Sequence, residues 1–170
     1  GAGATILDGT TISTADNTSQ LTLTSTDADS ASGPRFELTR DSGSPANADN
    51  IGLIVWKADD AGGTSTEVIQ MLGVVEDVTD GSEDGSLDIR TIVAGNTRSR
   101  IDFDITETVI NNDSVDLDFR VESNGNANML VVDGGNDKVS IGTATQDLTL
   151  TVNESLSIRN SDRAAGINVD

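Results

Sequence analysis

The sequence predicts an all-β fold rich in hairpins, and three observations carry that prediction. Apolar residues alternate with polar ones at a period of two through much of the chain. Thr, Ser, Asn and Asp supply most of the polar residues, Thr favouring strands and the others turns. No stretch keeps helical spacing over three turns. Disorder is the competing reading, but disordered chains rarely hold a regular β-branched alternation.

The elements follow in order. Leu21 and Leu23 alternate with Thr22 and Thr24, and Phe36 and Leu38 follow the turn signal Gly33-Pro34. Ile51 to Trp56 and Val68 to Val75 are denser in apolar residues, as expected of strands buried on both faces. Leu87 and Ile89 follow Asp84-Gly85, and Ile101, Phe103 and Ile105 alternate with Asp102 and Asp104. The clearest case runs from Val115 to Glu122, with Val115, Leu117, Phe119 and Val121 on one face and Asp116, Asp118, Arg120 and Glu122 on the other. Asn124-Gly125 comes next, a strong hairpin signal because both residues tolerate positive φ. The chain returns through Met129 to Val132, turns at Asp133-Gly134-Gly135-Asn136-Asp137 and resumes at Lys138 to Ile141, which predicts a β-meander. Leu148, Leu150 and Val152 precede Leu156 and Ile158 in the same grammar.

Ser86 to Arg90, Val115 to Arg120 and Ser155 to Arg159 resemble one another at uneven intervals, so strand grammar recurs without the fixed period of a solenoid. The expected organisation is a strand-rich connector over 1–19, a β-rich module over 20–106, a β-meander module over 107–143 and a strand-rich continuation over 144–170. With no initiator Met before Gly1-Ala2-Gly3 and no turn signal closing the chain at Asp170, the sequence reads as part of a longer or processed product.

The chain is thin in bulky side chains. Among 170 residues the hydrophobic fraction is 35% and the aromatic fraction 2%, from one Trp and three Phe. A self-sufficient domain of this size usually has more, so part of the burial is expected from neighbouring subunits. The net charge of −19 argues against nucleic acid or an anionic membrane as partner. Its carboxylates are spread along the chain as a solvated surface and form no tail. Three copies would carry −57, three times −19. Such self-repulsion is easier to bear at high ionic strength or with bound divalent cations. No apolar stretch approaches the length of a membrane span.

With 0 His and 0 Cys, a Ser-His-Asp triad, a thiolate nucleophile and the usual zinc sites are excluded. No glycine loop ending in Lys-Ser/Thr offers a phosphate cradle. Carboxylate-pair glycoside hydrolysis is the one mechanism the composition allows. Sugar clefts need aromatic platforms, however, and Trp56, inside an apolar run, reads as a core residue. No catalytic or cofactor-binding residue is expected. Three acidic loops offer the hard oxygens that calcium prefers. The richest runs from Asp77 to Gly85, making Asp77, Asp80, Glu83 and Asp84 candidate calcium ligands; Asp59-Asp60-Ala61-Gly62-Gly63 and Asp133 to Asp137 are poorer. None has the spacing of a helix-loop-helix calcium loop. Ordinary turn residues on a solvated surface are the favoured reading of all three.

The run from Val115 through Phe119-Arg120-Val121, Ser123-Asn124-Gly125-Asn126 and Asp133-Gly134-Gly135-Asn136-Asp137 to Ile141-Gly142-Thr143 closely resembles a segment common in tail-fibre-like structural proteins of marine and cyanobacterial bacteriophages. Gly33-Pro34, Arg40 to Ala46, Ile51-Gly52 and Asp80 to Leu87 are similar to a partner module of such proteins. Together these stretches cover well over half the chain. The resemblance implies a fibre module, tail fibre or head fibre, built as an intertwined β-structured homotrimer on the virion surface. It implies partners in other virion structural proteins and, indirectly, the host cell surface, without nucleic-acid binding or membrane insertion. It implies no catalytic residues. In such proteins the Ile-Gly-Thr segment leads toward a self-cleaving C-terminal chaperone domain, so this segment is expected to precede that domain or to have lost it. Two other classes share parts of the pattern: a bacterial or archaeal surface adhesin or filament module, and a polysaccharide-degrading tailspike.

Overall fold

The structure is a computed structural model that describes residues 9–142. The strands expected around Leu148, Leu150, Val152, Leu156 and Ile158 lie outside the described residues. The chain divides into two compact units between Asp41 and Ser42.

The described part of the first unit, residues 9–41, has no strand. The alternation at Leu21–Leu23 and Phe36–Leu38 therefore does not become ladder structure, and Leu21 and Phe36 are 60% and 64% exposed. A strand needs a partner to satisfy its backbone. Here short polar side chains satisfy the nearest amides instead. Asp16 accepts from the Thr18 amide at 3.0 Å, and Asp29 from the Ala31 amide at 2.7 Å.

The second unit holds two antiparallel sheets, and no helix occurs among the described residues. The first sheet is β1 (Asp49–Asp59), β2 (Ser65–Asp77), β3 (Asp84–Val93), β4 (Asn96–Phe103) and β5 (Thr108–Ile110); the second is β6 (Phe119–Val121), β7 (Leu130–Asp133) and β8 (Lys138–Ile141). Each strand pairs with the next in sequence. The first sheet thus runs past residue 106, through Ile110.

Side chains build the turns. Between β1 and β2, Asp60 Oδ1 accepts from the amides of Gly62 and Thr64 at 2.8 and 2.9 Å. Between β3 and β4 only Ala94 and Gly95 intervene, with φ of 49° and 80°. That is the doubly left-handed two-residue turn whose twist suits a hairpin. Asn124-Gly125, where the sequence favours such a turn, does not adopt it: neither residue has positive φ, and Val121 pairs with Leu130 across a long connection.

Alternation and register assign the faces. On one face of the first sheet, Leu53, Leu72, Asp88 and Asp102 lie in a cross-strand row. On the other, Ile54, Met71, Ile89, Ile101 and Ile110 form a second row. In the second sheet, Phe119, Val132 and Val139 share a face with Val121, Leu130 and Ile141. The alternation expected for Leu87, Ile89, Ile101 and Phe103 is present. The expectation that β1 is buried on both faces is not met: β1 is an edge strand, with Ile51 44% and Leu53 48% exposed.

The strand expected from Val115 to Glu122 shortens to β6. The Asn111 amide group donates to Val115 O at 2.7 Å and Leu117 N donates to the same oxygen at 2.7 Å, so this stretch is held in a local turn and not in a ladder. The Gly134-Gly135 turn lies directly against it. A methyl group on Gly134 would stand 2.6 Å from Leu117 O, a backbone atom that cannot swing away. We expect Gly134→Ala to lower stability by about 1–3 kcal/mol through overpacking. Gly125→Ala, which meets nothing within 4 Å, stays within about 0.5 kcal/mol. Urea unfolding of both variants at one chain concentration checks the contrast.

Candidate functional site

The two faces of the first sheet differ in chemistry. On the polar face the centre is Asp88 of β3, only 9% exposed. A carboxylate so placed must be paired. Arg90 Nε donates to its Oδ2 at 2.5 Å and Ser99 Oγ donates to its Oδ1 at 2.8 Å. The register slips at this point, Ile89 facing Ile101 but Arg90 facing Ser99, so Arg100 is the extra residue of a bulge. Alongside, the Ser99 amide donates to Asp113 Oδ2 at 3.1 Å, and Asn112 Nδ2 donates to Asp102 Oδ2 at 2.7 Å.

These side chains, with Thr97, line a groove of about 430 Å³. Burial raises the Asp102 carboxyl above its ordinary value, and the charges of Asp88 and Asp104 push the same way; Asn112 and Arg90 oppose them. A raised carboxyl beside a second one is the feature that acid catalysis requires. The rest of the groove does not complete it. Asp88 is committed to Arg90 and Ser99, and no aromatic ring lines the walls. Among the described residues no buried side-chain polar atom lacks a hydrogen-bond partner. The network therefore holds β3, β4 and the segment after β5 together.

The acidic loop between β2 and β3 is organised for turning. Asp77 and Asp84 face each other across its base. Asp77 Oδ1 accepts from the Thr79 amide at 2.9 Å, and the Thr79 hydroxyl and amide hold its carboxyl below the ordinary range. Glu83 Oε1 accepts from the Gly81 amide at 3.2 Å, while Asp80 sits exposed at the tip. The structure does not bring Asp77, Asp80, Glu83 and Asp84 together as ligands; among the described residues no three carboxylates converge on a metal position. Asp133 does similar work between β7 and β8, accepting from the amides of Gly135 at 3.1 Å and Asn136 at 2.9 Å.

The other face is apolar. Ile54 and Trp56 of β1 stand beside Ile69 and Met71 of β2, then Leu87 and Ile89 of β3, Ile101 and Phe103 of β4 and Ile110 of β5. Trp56, expected in the core, is instead 46% exposed on this face. Toward β6 the surface dips into a depression of about 190 Å³ where Ile101 and Ile110 meet Leu117 and Phe119. Sequence reasoning identified the apolar positions and missed the Asp88 network. Its only sequence signal was Asp88 and Arg90 spaced two apart on one strand, which also fits a solvated face.

Among the described residues the fold is antiparallel all-β, and its five-stranded sheet has one face of exposed apolar side chains and one centred on the Asp88 network. Comparison with protein-family profiles, with curated proteins and with solved structures found no match.

The raised Asp102 carboxyl has a consequence for stability. The folded state holds this proton more tightly than the unfolded chain does. Its contribution is therefore fully present below the ordinary value of 3.8 and is lost as pH rises through the raised folded value. Asp102→Asn keeps an acceptor oxygen for Asn112 and removes the charge. We expect this variant to melt above wild type at neutral pH, the gap closing as pH falls through the Asp102 titration toward 3.8. A gap that is the same in acid and at neutral pH contradicts the assignment.

Proposed function

We propose that this chain is a non-catalytic structural segment of a bacteriophage fibre, tail or head, displayed on the virion surface and working as a parallel homotrimer that supports host attachment. One observation carries the reading. Among the described residues Leu72, at 8% exposed, is the sole buried hydrophobic, and no large side chain is fully buried. Sheets with one apolar face must cover it with another layer, and within this chain each strand packs chiefly on its ladder neighbours. A protein that leaves its core-forming residues open in a single copy is built to complete its core with other chains.

Three further features support a fibre. The strands run up and down without crossovers, which suits repetition along an axis. Most of the described acidic groups are exposed or build turns, which suits a solvated exterior. The segment from Val115 to Thr143 resembles tail-fibre-like proteins. A non-catalytic role fits the absence of imidazole and thiol from the sequence and the closed pairing of the polar groove.

Multi-angle light scattering of the purified chain tests the reading directly. We expect a particle of three chains, three times 17.6 kDa. A stable particle of 17.6 kDa at micromolar concentration contradicts it.

A further inference from the structure

We propose that copies of this chain pack on one another through the apolar face of the five-stranded sheet, the face of Trp56, Ile69, Met71, Ile89, Ile101 and Phe103, with the Asp88 groove turned outward. This deepens the self-assembly reading above and rests on it.

Charge selects the occupant. Each chain carries −19, so copies repel wherever their carboxylates face one another. The interior of this face, from Trp56 across Ile69 and Ile89 to Phe103, has no charged side chain. It is the surface on which copies can meet without that repulsion. The cations nearest to it are marginal: Arg98, opposite Thr91 at the hairpin end and paired at 3.9 Å with Asp113, and Arg100 in the bulge beside the Ile101 depression. Arg100 at the rim suits a neighbour whose own surface is rich in carboxylate.

Area agrees. Ile54, Trp56, Ile69, Phe103 and Ile110 are 37–46% exposed, with Met71, Leu87, Ile89 and Ile101 half-buried between them. Such a patch is on the order of 500 Å², at the upper end for a monomer surface, and two of them together reach the roughly 1,000 Å² at which specific interfaces begin. The depression shared by Ile101, Ile110, Leu117 and Phe119 carries it on toward the apolar face of β6–β8. Two twisted sheets meeting on such faces interdigitate as the layers of a sandwich do. The groove face is less suited, because docking it would strand the Asp88, Arg90 and Asp102 charges away from water.

Trp56 is the one tryptophan in the sequence, so its fluorescence reads this face alone. In the assembled full chain we expect blue-shifted emission and acrylamide quenching several-fold weaker than for a free indole. Ile89→Asp and Thr97→Asp add the same charge to opposite faces of the sheet. Ile89→Asp is expected to weaken assembly by about 100-fold or more, the cost of burying an unpaired carboxylate. Thr97→Asp, in the groove, is expected to change it by less than about 3-fold. The wild-type quenching decides the matter even if Ile89→Asp fails to fold. An assembled particle whose Trp56 quenches like free indole overturns this interface and leaves the self-assembly reading standing. A monomer with exposed Trp56 overturns both.

Discussion

Among the described residues the five-stranded sheet carries an apolar row on one face, where Trp56, Ile69 and Phe103 are 38–46% exposed. A β-sheet gains its stability from burial against another layer as much as from its ladder, because hydrogen bonds between strands replace bonds to water at little net gain. At roughly 25 cal/mol per Å² of apolar surface removed from water, a face left open forgoes most of what a domain of this size depends on. Leu72 at 8% exposure marks how little the described part of a single copy buries. The missing burial, the shape of the open face and the proposed role as a fibre segment are consequences of that one arrangement.

Electrostatics complements it. The carboxylates do three kinds of structural work that leave the apolar face free of charge. Asp60, Asp77 and Asp133 receive backbone amides and fix turns. Asp88 is buried with Arg90 and Ser99 and pins β3 to β4. Most of the other described carboxylates are exposed, giving a surface that discourages contact where they lie. Association through an uncharged face is therefore helped by salt, which screens repulsion at the margins and leaves apolar burial in place.

Much of the second unit was legible in the sequence. Leu87, Ile89, Ile101 and Phe103 show period-two alternation and lie on one face, as that spacing dictates. The loop from Asp77 to Asp84 is a turn in which Asp77 and Glu83 accept from nearby backbone amides. Three features were not legible, each because tertiary context overrode a local signal. Alternation at Leu21 and Phe36 finds no partner strand among the described residues. The left-handed two-residue turn falls on Ala94-Gly95, where the register of β3 and β4 leaves two residues, and not on Asn124-Gly125, where it leaves eight. Val115 to Leu117 has the pattern of a strand, yet Asn111 captures its backbone and Gly134 packs where a ladder partner would lie. Trp56 illustrates the limit of composition: its apolar neighbours pointed to a core position, and in the structure it is 46% exposed.

On the proposed reading, association completes the folding of this chain. That reading is tested most directly by the midpoint of urea unfolding measured over a hundredfold range of chain concentration. When folded copies stabilise one another and unfolded chains do not, mass action moves the midpoint upward with concentration. The account predicts a clear rise across that range. A midpoint that does not move with concentration, with full cooperativity at the lowest concentration, would mean that a single copy completes its own core.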